Sequence, residues 1–252
     1  MKPILFKTVT LLLWSLLMCP QANGFPGSSS CPENAQALSP EPLHEEWAVE
    51  WWMPRHEQKL VEEGRETAEL LFLGDSITHG WEREGEEIAE NYFSGYSVYN
   101  LGFSGDRTEN VLWRLDQGEA DGINPQLAVL LIGTNNTGHR QDNPECTAEG
   151  IKRILDELNE RLPDTQVLLL EIFPRGEYPD DELRSINNEV NQLIRAFEER
   201  ENVTLADFSD IFLMDDDMLN LDVMPDTLHP NEQGYKFWAD AMLPYIRDLM
   251  SR

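Results

Sequence analysis

Two short segments 150 residues apart hold the groups that a nucleophilic hydrolysis needs. Gly74-Asp-Ser76 ends an apolar run, and Asp226-Thr-Leu-His229 lies near the C-terminus. A serine hydroxyl is a poor nucleophile near neutral pH and needs a base within hydrogen-bond reach to take its proton. His229 is the candidate base. Asp226, three residues earlier on the same segment, can fix the imidazole tautomer and stabilise its charged form. Attack on an ester carbonyl creates an oxyanion, which preorganised donors must meet. Asn100-Leu-Gly-Phe-Ser-Gly-Asp106 and Gly133-Thr-Asn-Asn136 each follow another apolar run and could supply them.

The elements that must position these groups are legible from hydrophobic patterning. Apolar runs at Leu70–Leu73, Ser97–Leu101, Leu127–Ile132, Gln166–Phe173 and Val203–Ala206 alternate with segments of helical spacing around 107–118, 146–161, 181–200 and 231–250. Strand alternating with helix predicts a parallel sheet. The runs Leu-Ala-Val-Leu-Leu-Ile and Val-Leu-Leu-Leu-Glu-Ile-Phe are nearly continuous, as expected of strands covered on both faces. Ligands of such sheets sit beyond the carboxyl ends of the strands, where the polar segments lie. Asn231 reads as a helix cap, and Tyr235, Trp238, Ala239, Met242 and Leu243 recur at helical spacing, so a packed helix should brace the histidine.

These four blocks, in this order, resemble those of the SGNH hydrolases, also called GDSL esterases and lipases, over about residues 45 to 250. The serine, glycine, asparagine and histidine of that family's name correspond to Ser76, Gly105, Asn135 and His229, with Gly-Asp-Ser-Ile in place of Gly-Asp-Ser-Leu. Further similarity in Asn-Leu-Gly-Phe-Ser-Gly-Asp-Arg-Thr, Val-Leu-Trp-Arg-Leu, Phe-Pro-Arg-Gly-Glu and Leu-His-Pro-Asn-Glu-Gln-Gly-Tyr points to the branch resembling platelet-activating-factor acetylhydrolase catalytic subunits. The resemblance implies an α/β fold, a three-layer α/β/α sandwich around a central five-stranded parallel sheet of flavodoxin-like order. It implies Ser76, Asp226 and His229 as the catalytic residues. The oxyanion hole it implies consists of the Ser76 N–H, the Gly105 N–H and the Asn135 side-chain amide. Neither a metal nor another cofactor is called for.

Composition narrows the setting. A chain of 252 residues with 40% hydrophobic and 9% aromatic content can bury one sizeable core. Met1 to Lys7 carries two lysines and no acid, and an apolar run follows over Thr8 to Cys19, which together predict a secretory signal peptide over residues 1–24. Pro20 follows that run too early for a retained membrane anchor. Residues 25–44, rich in Pro, Ser and Gly, are expected to be a flexible linker to a hydrolase domain at 45–252. Glu46 to Glu63 is helical in composition, with Pro54 expected to kink or restart the helix. A secreted, periplasmic or extracellular location follows. Without residues 1–24 the chain keeps 17 basic and 47 acidic residues, a formal charge of −30. Such a surface repels phosphate backbones and anionic headgroups, so nucleic acid and membrane are poor partners. The charge fits a saline habitat or an ordinary acidic secreted protein.

Other residues have two readings each. Cys31 and Cys146 could form one disulfide or remain free thiols. Asp75 could orient the oxyanion hole or bond turn N–H groups. His79 and His139 could touch substrate or be solvated loop residues, while His44 and His56 are expected at the surface. Arg175 could pair with an internal carboxylate or line the pocket. Asp215-Asp-Asp217 with Asn220 and Asp222 invites calcium, but the glycine and spacing of an EF-hand loop are missing. The expected activity is hydrolysis of short-chain acyl esters, preferably O-acetyl groups on carbohydrate, through an acyl-serine. An acetylated phospholipid or lysophospholipid substrate is the alternative. A binding or scaffold protein on the same fold is the non-enzymatic reading, and a homodimer is possible.

Overall fold

The computed structural model describes residues 31–251. The expected signal peptide, the start of the expected linker and Arg252 lie outside the described residues. Five strands, β1 (Leu70–Gly74), β2 (Val98–Gly102), β3 (Leu127–Leu131), β4 (Gln166–Leu170) and β5 (Val203–Ala206), form one parallel sheet in the order β2-β1-β3-β4-β5. Eight α-helices connect or flank them among the described residues: α1 (Trp52–Leu60), α2 (Ser76–His79), α3 (Glu86–Phe93), α4 (Thr108–Asp116), α5 (Thr134–Arg140), α6 (Pro144–Arg161), α7 (Glu182–Ile194) and α8 (Glu232–Leu249). The expected three-layer α/β/α architecture is the observed one.

The strand residues divide by pleat between two cores, which is why the runs are continuously apolar. Leu71, Leu73, Ala128 and Leu130 pack with Val111 of α4, Ile151 and Ile154 of α6 and Val190 of α7. Leu70, Phe72, Val129 and Leu131 pack on the other face with Phe93 of α3 and Trp238 and Met242 of α8. At about 25 cal/mol per Å² of apolar surface removed from water, two such faces supply the main driving force for folding.

The register matters most for function. Gly74 stands opposite both Gly102 and Leu131, so β1, β2 and β3 end flush and their following loops meet. The chain runs outward from β1 to β2 and then returns to β3 on the other side of β1. A crevice therefore opens beyond β1 and β3, at the point where strand order reverses. Gly74 itself permits the closeness: a Cβ there would lie 2.2 Å from the Leu131 carbonyl oxygen and 2.3 Å from Thr78 Oγ1.

Three features differ from expectation. Residues 31–44 are packed rather than a flexible linker: Ala37, Leu38 and Leu43 are buried, Thr108 Oγ1 donates to the Ala37 carbonyl at 2.8 Å, and Arg153 donates to that of Leu38 at 3.0 Å. Pro32, Ser39, Pro40 and Pro42 here encode irregular backbone that is nonetheless satisfied by fixed partners. Cys31 and Cys146 form a disulfide that ties this strap to α6. The helix expected over 46–63 begins only at Trp52 and carries Pro54 in its first turn, where the missing N–H has no intrahelical acceptor. Patterning did not indicate α2, α3 or α5; α3 buries only Ile88 and Phe93, and α5 reads Thr-Asn-Asn-Thr-Gly-His-Arg, a poor helix sequence.

Candidate active site

The turn after β1 is set by Asp75. Its carboxylate caps α2, accepting from the Ile77 N–H at 3.0 Å, and this presents Ser76 as the first helical residue. Asp75 therefore holds the Ser76 turn, the turn-forming alternative of its two readings. It is fully buried, which pushes its pKa up to about 6 against the Ile77 hydrogen bond and the charges of His229 and Arg175. From the other side, α8 braces the turn, with Tyr235 Oη donating to the Ile77 carbonyl at 2.7 Å.

The structure brings Ser76, His229 and Asp226 together. His229 Nε2 lies 2.9 Å from Ser76 Oγ, and His229 Nδ1 lies 2.7 Å from Asp226 Oδ2. An ionised carboxylate can only accept, so Nδ1 carries its hydrogen and the neutral ring presents Nε2 as an acceptor to the hydroxyl. The other oxygen of Asp226 accepts from the backbone N–H groups of Leu228, at 3.0 Å, and His229, at 2.7 Å. One carboxylate thus shapes its own turn and orients the imidazole. Burial pushes Asp226 up, but these bonds from His229 and Leu228 outweigh it and hold the carboxyl below its ordinary range. Asn231 caps α8 directly after the turn, accepting from the Gly234 N–H at 3.1 Å.

Gly105 and Asn135 line the same cavity of about 460 Å³ as Ser76 and His229. Gly105 adopts φ +86°, a left-handed conformation that side chains disfavour, and a Cβ there would also lie 2.2 Å from Trp47 Cη2. The Asn135 amide donates to the Asp106 carbonyl at 2.9 Å, locking the turn after β2 to the start of α5. Asn136 adds a second clamp, accepting from the Thr108 N–H at 3.0 Å. Ser76, Gly105 and Asn135, which follow β1, β2 and β3, therefore line one cavity.

The turn after β2 is rooted deeper. Asp106 accepts from Trp52 Nε1 at 2.6 Å and from Arg114 Nε at 2.8 Å. Arg114 also pairs with Glu119, which meets His56 Nδ1 at 2.7 Å. All five side chains are buried, so His56 is not a surface residue: its ring is needed inside to complete the carboxylate's bonding. Burial pushes Asp106 up to about 7 despite Arg114 and Trp52.

His79 is not a solvated loop residue, and His139, though exposed, lies on a helix rather than in a loop. His79 ends α2, is buried and lies 3.0 Å from Ser104 Oγ through Nδ1; burial, then Arg55 and Arg83, push its pKa down to about 3, so it stays neutral. His139, on α5, lines the cavity and accepts from Arg107 at 3.1 Å through Nδ1, and burial and Arg107 lower its pKa. Arg175 donates to the backbone and hydroxyl oxygens of Thr134, at 2.8 and 3.2 Å, steadying α5. His44 is exposed, as are Asp215, Asp216 and Asp217. Trp47, Arg83 and Glu84 line the cavity without having been singled out from sequence, and Tyr235, expected only as a packed helix residue, lines it too.

The model of the GDSL-like Lipase/Acylhydrolase family matches residues 72–237, which include both segments of the hydrogen-bonded chain. The chain belongs to this family. It is 34% identical over 204 residues to human platelet-activating factor acetylhydrolase IB subunit alpha1, covering 81% of this chain and 86% of that protein. Among solved structures, a GDSL-like lipase from Bacteroides thetaiotaomicron superposes with TM-score 0.63 at 19% identity, over 79% of this chain and 97% of that one. A carbohydrate acetylesterase from Sinorhizobium meliloti superposes with TM-score 0.57 at 18% identity, over 71% and 98%. Family and relatives establish this GDSL acylhydrolase as an ester-hydrolysing enzyme. Among its described residues, no helix is long and apolar enough to cross a membrane.

Proposed function

We propose that this acylhydrolase is a secreted serine esterase that removes short acyl groups, chiefly acetyl, from carbohydrate. The observation that carries the reading is the continuous hydrogen-bonded chain Ser76–His229–Asp226 opening on a cavity that Gly105 and Asn135 share. Ser76 Oγ gives its proton to His229 Nε2 and forms a bond to the ester carbonyl carbon. The oxyanion that develops is met by the Ser76 and Gly105 N–H groups and the Asn135 amide. His229 then protonates the departing alcohol, and water repeats the sequence on the acyl-serine to release the acid. Asp226 keeps the ring in its working tautomer throughout.

The carbohydrate preference is supported by the polar rim of the cavity, where Arg83, Glu84, His139 and Asn231 stand, and by an acidic chain unsuited to anionic membranes. Export is supported by the predicted signal segment and by the Cys31–Cys146 disulfide, a bond that persists in oxidising compartments. A second reading, an acetylated phospholipid, is favoured by the 34% identity to a platelet-activating factor acetylhydrolase subunit. p-Nitrophenyl acetate turnover by wild type and Ser76→Ala tests the mechanism; equal rates would reject it. A panel of acetylated xylan, acetylated sialic acid and short-chain phospholipid tests the substrate class, and preference for long-chain lipid esters would overturn both readings.

A further inference from the structure

The strap before α1 ends at the mouth of the active site. It is tied down along its length by the Cys31–Cys146 disulfide, by the Asn110 amide donating to the Glu41 carbonyl at 3.0 Å and by the Glu45–Arg107 ion pair at 2.6 Å. Ala48, fully buried, anchors the turn that follows. Between these fixed points stands Trp47, 54% exposed, although a side chain of its size and apolarity is ordinarily covered. Its ring edge lies over Gly105, its inner face stacks on Trp51 at 6.2 Å between centroids, and it lines the cavity. Trp47 lies outside the 72–237 segment matched by the family model.

We propose that Trp47 is a specificity-determining residue: a rigid stacking platform for the sugar ring that carries the acyl group. The inference rests on the carbohydrate-esterase reading above and names the group that reads the alcohol half of the substrate. An acetyl group is small enough to sit at the reacting atoms, so what reaches a half-exposed indole at the rim is the alcohol. A pyranose presents a face of C–H bonds edged by hydroxyls. A flat aromatic surface beside the hydrogen-bonding groups Arg83, Glu84 and His139 complements both features. Because the strap already holds the indole in place, little ordering cost is incurred on binding.

The test compares kcat/KM on acetylated xylan with that on methyl acetate, whose alcohol is too short to reach the rim. Trp47→Ala should lower the xylan-to-methyl-acetate ratio about tenfold, mainly through KM on xylan, and Trp47→Phe should restore part of it. An unchanged melting temperature excludes a folding defect, and Trp47→Phe carries the test should the alanine variant be unstable. A ratio that moves less than about twofold in both variants overturns the role of Trp47 alone. Wild type that hydrolyses methyl acetate but leaves acetylated xylan intact overturns the carbohydrate reading and this inference with it. Equal activity of Ser76→Ala and wild type overturns the mechanism beneath both.

Discussion

The two turns that flank Ser76 are built in opposite ways. The Asp226–His229 turn is local and half-exposed: its carboxylate caps its own backbone three residues on, and the side chains of His229 and Asp226 are 39% and 56% exposed. The Phe103–Arg107 turn is anchored at long range, because Asp106 is bonded to Trp52, 54 residues earlier, and to Arg114, which is buried together with Glu119 and His56. In the proposed mechanism the first turn holds groups that move protons and contact solvent, and the second holds a backbone donor whose position must not change while charge develops beside it. Substitutions in the first should therefore cost rate without stability, and substitutions behind the second should cost stability first.

The largest separation of rate from stability is expected for Asp226→Asn. Loss of the carboxylate leaves the wrong tautomer available to Ser76 and should lower kcat by up to about 10⁴-fold, with thermal unfolding nearly unchanged. A comparable drop in melting temperature would show that this turn, too, is structural. The converse experiment is Arg114→Met, which leaves Asp106 and Glu119 buried without their cation; urea unfolding should report a loss of about 3–5 kcal/mol. If stability held while kcat collapsed, the buried network would be serving the chemistry directly. Asn135→Ala sits between the two regions. It removes a donor and the clamp on the Asp106 carbonyl, and steady-state kinetics should show about a 100- to 1000-fold lower kcat in a folded protein.

A smaller effect should come from Asp75, which is buried beneath the nucleophile. Its folded carboxyl titrates near pH 6, whereas an unfolded aspartate titrates near 3.9, so the folded state holds the extra proton between those values. Stability from this group is therefore full below about pH 4 and falls as pH rises, by about 3 kcal/mol by pH 7. Asp75→Asn retains an acceptor for the Ile77 N–H and should remove that slope. Wild type and variant unfolded in urea at pH 4 and pH 7 should diverge by this amount, and parallel curves would show Asp75 to be ionised throughout.

Much of the sheet could be read beforehand because strands covered on both faces have no polar alternation to obscure them, and β5 fell on the expected residues, 203–206. The short helices α2 and α5 could not be read this way, since Thr, Ser and Asn are weak helix formers until partners such as Asp75, Arg175 and Thr108 hold them. His56 was misplaced for a related reason: nothing in its neighbourhood along the chain indicates that Glu119 waits 63 residues away. The strap was misread because its residues suit either a mobile linker or an irregular packed segment, and only the contacts of Ala37, Leu38 and Leu43 distinguish the two.

By itself the amino-acid sequence determined the class of fold, the family, and which serine, histidine, aspartate, glycine and asparagine carry the family pattern, since these follow from local periodicity and from residue types that hydrolytic chemistry restricts. Only the tertiary structure decided that Ser76 and His229 stand 2.9 Å apart, that Asp106 is held in place by a buried cluster, and that Trp47 reaches the mouth of the cavity. Those facts depend on strand register and on contacts between residues tens to hundreds of positions apart, which leave no periodic trace along the chain.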